Sequence, residues 1–173
     1  MQICLTDLVS APSRRIRFDY TIDLSKEEVA FSFPFQKPVR MVGEVTDAAG
    51  VVTLRAQVQA RISARCARCN RPADYDKVTP VEFLLVKELA NGEEDVPDEI
   101  FLIESDTVEL DEILVPELLL DLEMTVLCRE DCKGLCPKCG KNLNDGDCGC
   151  RRREIEPRLA VLQQFLEKTK TQE

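Results

Sequence analysis

The residues best suited to chemistry are nine cysteines, six of them crowded between Cys128 and Cys150. That stretch reads Cys128-Arg-Glu-Asp-Cys132-Lys-Gly-Leu-Cys136-Pro-Lys-Cys139-Gly-Lys-Asn-Leu-Asn-Asp-Gly-Asp-Cys148-Gly-Cys150. Two thiolates two residues apart can grip one ion when the chain turns tightly between them. Gly140, directly after Cys139, permits the backbone angles of such a turn. Cys136, Cys139, Cys148 and Cys150 are the preferred ligands of one structural zinc ion. Cys66, Cys69, Cys128 and Cys132 could assemble a second four-cysteine site. Alternatively, Cys128 and Cys132 share the first site in another grouping, and Cys66 and Cys69 are two thiols at a strand end. Cys4, between Ile3 and Leu5, is expected in the core.

Other chemistries fare worse. The chain has no histidine, which removes the commonest general base and any Ser-His or Cys-His pair. A metal site must therefore use cysteine alone or cysteine with carboxylate. No paired-carboxylate site suggests a nuclease. Both Cys-x-x-Cys pairs have the spacing of thiol oxidoreductases, but that chemistry needs a strand-to-helix setting. Cys66 instead ends a strand entering a hairpin, with Pro72 close behind. An odd cysteine total fits a disulfide framework poorly, and in a reducing compartment clustered cysteines usually bind metal. Leu135 and Leu143 are the only large apolar residues of the cysteine stretch, so metal is expected to hold it folded.

The elements that must position these cysteines follow from pattern. From Leu54 to Arg65 apolar and polar residues alternate without a break, which predicts a long strand with one buried and one basic face. Further strands are predicted over 14–20, 39–45, 78–86 and 100–103, with Asp47-Ala-Ala-Gly50 as a turn. Ser25, with acids just after it, suggests a short helical turn. The 88–99 segment reads as an acidic loop. Helices are predicted over 110–122, despite Pro116, and over 157–168. No internal repeat is evident. The expected class is α+β: an antiparallel sheet or small, partly open barrel with a packed helix, then a cysteine-rich zinc module and a terminal helix. Residues 1–126 would form the β-rich domain, and 127–173 the zinc module with its helix.

Charge is unevenly spread. The net charge is −9, yet 14 acids and no Lys or Arg lie between Glu88 and Glu123. Outside that segment bases outnumber acids. They concentrate at Arg55, Arg61, Arg65, Arg68 and Arg71, and around the cysteines at Lys133, Lys138, Lys141, Arg151, Arg152 and Arg153. No apolar run approaches the roughly 20 residues of a spanning helix. The first residues do not read as a secretory signal, so a cytoplasmic location with no membrane partner is expected.

Asp131-Cys132-Lys-Gly-Leu-Cys136-Pro-x-Cys139-Gly-x-Asn142-Leu143-Asn144, followed by Cys148-x-Cys150, resembles the C-terminal signature of the YceD family, the large ribosomal RNA subunit accumulation proteins. Cys66-x-Arg68-Cys69 after a long alternating strand is similar to that family's internal pair. The order of parts matches along most of the chain. The resemblance implies a non-enzymatic role in building up large-subunit (23S) ribosomal RNA, in bacteria and plant organelles. The expected function is therefore a ribosome-biogenesis factor whose zinc-stabilised basic surface, made of the eleven Arg and Lys residues just named, meets RNA phosphates. The competing expectation is an adaptor that docks a large-subunit ribosomal protein through the acidic segment. Neither calls for a small-molecule substrate.

Overall fold

The computed structural model describes residues 1–87 and 99–150. The chain forms two compact units. Among the described residues, the first comprises 1–66, 71–87 and 99–128, and the second comprises 67–70 and 129–150.

The first unit is built on alternation. β2 (Arg15–Ile22), β3 (Val39–Ala48), β4 (Val51–Ile62) and β5 (Tyr75–Val86) form antiparallel neighbours, and β6 (Ile100–Leu102) adds to β5. The sheet is open, in the order β2-β3-β4-β5-β6, and does not close into a barrel. β6 runs parallel to β5, a departure from the all-antiparallel expectation. β4 is displaced from its predicted span of 54–65. It starts at Val51 because Ala49 and Gly50, both at positive φ, make a two-residue turn that lets Ala48 pair directly with Val51. It stops at Ile62, where its pairing with Tyr75 of β5 ends.

Two strands and an α-helix went unforeseen, as did the 3-10 helices Pro12–Arg14 and Leu143–Asp145. β1 (Gln2–Cys4) pairs with β7 (Thr107–Glu109), and α1 (Leu5–Ser10) follows β1. Each is too short to show a period. Ser25 begins no helix: Glu27 N–H closes a single turn on the Leu24 carbonyl at 3.0 Å. Cys4 is only half-buried, unlike Ile3 and Leu5 beside it, and its thiol lies 2.9 Å from the Thr6 hydroxyl. It is therefore not the core residue expected, because its side chain leaves the strand on the wetter face. The hydrogen bonds from Thr6 lower its pKa.

α2 (Leu110–Leu120) covers the inner face of the sheet. Leu110, Ile113, Leu114 and Leu118 are buried, at helical spacing, with Met41, Leu54 and Val58 in the same core. Pro116 sits on the exposed side, where the carbonyl it leaves unpaired can be hydrated. Asp121 ends the helix two residues short of the predicted limit. It takes a hydrogen bond from the Thr79 hydroxyl at 2.7 Å and an ion pair from Lys77 at 2.9 Å. At Gly43 a side chain has no room: an added Cβ would meet the Arg55 carbonyl oxygen at 2.3 Å and Phe18 at 2.7 Å.

The outer face is charged on both signs. Register places Arg17, Glu44, Arg55 and Glu82 in one row across four strands. Arg55 reaches Glu82 at 2.7 Å, and Arg61 reaches Asp76 at 2.9 Å. Among the described residues no helix is long and apolar enough to cross a membrane. The acidic 88–98 segment, the predicted 157–168 helix and Arg151, Arg152 and Arg153 lie outside the described residues.

Candidate metal centres

Each Cys-x-x-Cys pair lies in the same local structure. Arg65 and Pro72 bridge as isolated strand partners, and so do Leu135 and Asn142. Inside the first bridge Cys66 N–H donates to the Arg71 carbonyl at 2.8 Å; inside the second Cys136 N–H donates to the Lys141 carbonyl at 2.8 Å. The residue after each second cysteine takes positive φ, 57° at Asn70 and 72° at Gly140. Asn and Gly are the residues that tolerate this geometry best. Eight residues, 65–72, thus repeat the conformation of 135–142. The sequence conceals this repeat because only the cysteines and two basic positions, Arg68 with Lys138 and Arg71 with Lys141, coincide. The first turn leads into a strand and the second only into a three-residue 3-10 helix, Leu143–Asp145, so neither has the strand-to-α-helix setting of a thiol oxidoreductase.

Two groups of four cysteines result. Cys136, Cys139, Cys148 and Cys150 bring their sulfurs within 4.8 Å of one another, and so do Cys66, Cys69, Cys128 and Cys132. A zinc ion bound at about 2.3 Å in a tetrahedron needs sulfurs roughly 3.8 Å apart. Both groups could hold a metal ion, and each offers four candidate ligands. The alternative in which Cys128 and Cys132 join the tail group is not the arrangement seen. The spacing of the second pair differs between groups: Cys128-x-x-x-Cys132 in one, Cys148-x-Cys150 in the other.

The electrostatics suit a cation. Backbone N–H groups of Cys139 and Lys138 pull the Cys136 thiol down to about 6. The neighbouring sulfurs of Cys148 and Cys139 push Cys150 up to about 12. Cys136 thus takes a negative charge readily while Cys150 resists one, and a divalent ion would offset that resistance.

Sequence reasoning missed the groups around the sulfurs. Asn144 Nδ2 donates to Cys132 Sγ at 3.4 Å and to Asn142 Oδ1 at 2.8 Å. Asn144 Oδ1 accepts from Arg129 at 2.7 Å and from the Lys133 backbone N–H at 2.9 Å. The signal was present in the Asn142-Leu143-Asn144 motif, where two amides stand between two cysteine pairs. Arg68, expected on an RNA surface, donates to the carbonyls of Cys132 and Glu130 at 3.0 and 3.4 Å. Lys133, Lys138 and Lys141 are exposed, and Lys141 Nζ donates to the Asp147 carbonyl at 3.0 Å. Arg65 and Arg71 flank Cys66 to Cys69, each adjacent to a bridge residue or part of one.

The family described as large ribosomal RNA subunit accumulation protein YceD matches residues 54–166, a range that starts in β4 and includes both cysteine groups. The chain belongs to the YceD family. An uncharacterized protein of Mycobacterium tuberculosis is 32% identical over 116 residues, 66% of this chain and 56% of that protein. The match thus spans little more than half the length of the mycobacterial relative. The uncharacterized protein YlbN of Bacillus subtilis is 24% identical over 171 residues, 96% of both chains. A 35-residue stretch is 49% identical to a chloroplastic Arabidopsis thaliana protein, large ribosomal RNA subunit accumulation protein YCED homolog 1, covering 20% of this chain and 11% of that one. No solved structure matches significantly.

Proposed function

We propose that this YceD-family chain is a non-enzymatic, zinc-stabilised factor that supports the accumulation and processing of large-subunit ribosomal RNA in the cytoplasm. The observation that carries this reading is the pair of four-cysteine groups beside exposed lysines. Four thiolates on one zinc leave no coordination position open for a substrate or water, which suits a structural ion. They also leave two net negative charges, which nearby Lys and Arg offset. The family name supports the ribosomal RNA role.

The proposed RNA contact is narrower than the full set of basic residues. Arg55 and Arg61 hold Glu82 and Asp76, so the sheet face offers phosphates little net charge. Arg68 braces two carbonyls. Lys133, Lys138 and Lys141, all exposed beside the tail cysteines, are the proposed phosphate contacts, with Arg65, Arg71 and Arg151 to Arg153 extending them along the chain. Three such contacts to single-stranded RNA change the slope of log K against log salt by about 2. The test is anisotropy of a labelled large-subunit ribosomal RNA fragment over a salt series. The variant Lys133→Glu, Lys138→Glu, Lys141→Glu should bind more weakly and with a shallower slope. Unchanged affinity and slope would remove these lysines from the function.

A second reading is supported by a hollow of about 350 Å³ in the first unit. Phe101, Ile103 and Val108 line it together with Glu104, Glu109 and Glu112. A mostly polar lining rimmed by three carboxylates suits the cationic head of a Lys or Arg from a basic protein, its stem lying against the few apolar atoms. A protein adaptor would lose capture of a ribosomal protein on Glu104→Lys, Glu112→Lys, while RNA binding by the lysines would persist.

A further inference from the structure

We propose that Asn144 couples the two cysteine groups, so that an ion at Cys136, Cys139, Cys148 and Cys150 raises the metal affinity of the group that contains Cys132. This rests on reading both groups as metal sites.

Asn144 lies in the loop between Cys139 and Cys148, yet its side chain serves Cys132, a ligand candidate of the other group. Its orientation is determined by its partners. Arg129 and the Lys133 backbone N–H both donate to Oδ1, at 2.7 and 2.9 Å, so the amide nitrogen must face the other way. That nitrogen meets Cys132 Sγ and Asn142 Oδ1. Asn142 Oδ1 also accepts from the Asn144 backbone N–H at 2.9 Å. Asn142 in turn bridges Leu135, whose neighbour Cys136 donates to the Lys141 carbonyl. A continuous chain of bonds therefore runs from the Cys136 turn through Asn142 and Asn144 to the Cys132 sulfur.

Chemistry gives that chain its effect. An N–H directed at a thiolate stabilises the charged form that binds metal and fixes the direction of its lone pair. The amide can do so only while its loop is held in place. An ion bound by Cys139 and Cys148 closes both ends of that loop and removes the entropy of its wandering. The free energy spent ordering Asn144 is then already met when the Cys132 group binds its own ion. Coupling of this kind is reciprocal, so each ion favours the other.

The experiment uses the full chain under reducing conditions, with zinc counted by native mass spectrometry. Affinities come from competition with a chromophoric chelator. The Cys69→Ser variant identifies which binding step belongs to the Cys132 group. Asn144→Asp keeps the shape and the acceptor toward Arg129 and Lys133 but replaces the donor with an oxygen beside sulfur. It should lower the affinity of the Cys132 group by about ten- to a hundredfold, the usual range for a lost ligand-orienting partner, and Asn144→Ala should do likewise. Cys148→Ser should weaken the Cys132 group when Asn144 is present and should not weaken it further when Asn144 is Ala. Circular dichroism of the sheet checks that each variant is folded. Wild-type affinity in both Asn144 variants, or an equal effect of Cys148→Ser in both backgrounds, overturns the coupling alone. A wild-type chain that takes fewer than two zinc ions overturns the two-site reading beneath it.

Discussion

Removing the metal should dissolve the second unit and spare the first. The reason lies in what each unit buries. The described residues of the second unit bury three side chains that could act as a core, Cys69, Cys132 and Cys136, all of them ligand candidates. Leu135 is 42% exposed, and Leu143 is only half-buried. Together the two leucines contribute about 3 kcal/mol. Ordering residues 129–150 costs on the order of 20 kcal/mol, at about 1 kcal/mol per residue. Metal binding must supply the shortfall, because for a stretch without its own core the binding free energy of the ion is folding free energy. The first unit has its own apolar core, from Ile3 to Leu118, which contains no ligand candidate. The assay is a ¹⁵N–¹H correlation spectrum of the whole chain before and after chelation in reductant, with metal loss verified by mass spectrometry. Resonances of residues 129–150 should collapse into the random-coil region while those of β2 to β5 stay dispersed. Dispersed signals from 129–150 in verified metal-free protein would refute the reasoning.

Gly43→Ala should destabilise the first unit by about 1–3 kcal/mol, because the new methyl meets the Arg55 carbonyl and Phe18; urea midpoints would show it. Leu114→Ala, at a fully buried position of α2, should cost about 2–5 kcal/mol by the same measurement. Arg55→Ala should leave the urea midpoint almost unchanged, since the pair it forms with Glu82 is exposed on both sides. Tyr20 has a pKa raised by burial and by its hydrogen bond to Asp111 at 2.6 Å. In the unfolded chain the phenol loses its proton near pH 10 while the folded one keeps it, so stability should fall as pH rises above about 10. Tyr20→Phe should flatten that decline, as denaturation across pH 9–12 would reveal.

Much of the sheet was readable because its signal is local. The alternation from Leu54 to Ile62 recurs in the burial pattern, with Leu54, Ala56, Val58, Ala60 and Ile62 all buried. One half-covered sheet face imposes period two on the sequence, and period two survives without knowledge of neighbours. α2 was readable despite Pro116, because four buried residues keep helical spacing. The short pieces β1, α1 and β7 were not readable. Three to six residues carry too few periods, and it is pairing with a strand roughly a hundred positions away that makes β1 a strand.

The charges show the boundary most clearly. Read along the chain, Arg55 and Arg61 belong to a basic run without an acid from Asp47 to Asp74. Read across the sheet, each faces a carboxylate on β5. Linear charge density reports only the strand it lies on, whereas the field at a surface is summed over neighbouring strands that only register can specify.

The cysteines divide in the same way. The sequence by itself determined that metal was the chemistry to expect, through thiol number, spacing and the lack of histidine. It also favoured the tail group, because Cys136, Cys139, Cys148 and Cys150 lie close along the chain and a short loop suffices to join them, while leaving open a grouping that included Cys128 and Cys132. Only the tertiary structure decided that Cys66 and Cys69 stand with Cys128 and Cys132. Some sixty residues of sheet and helix separate those pairs, and no local rule states where a chain returns after so long a path. It also decided that Asn144 serves a sulfur outside its own loop, because a hydrogen bond depends on where two groups meet in space and not on how near they are in sequence.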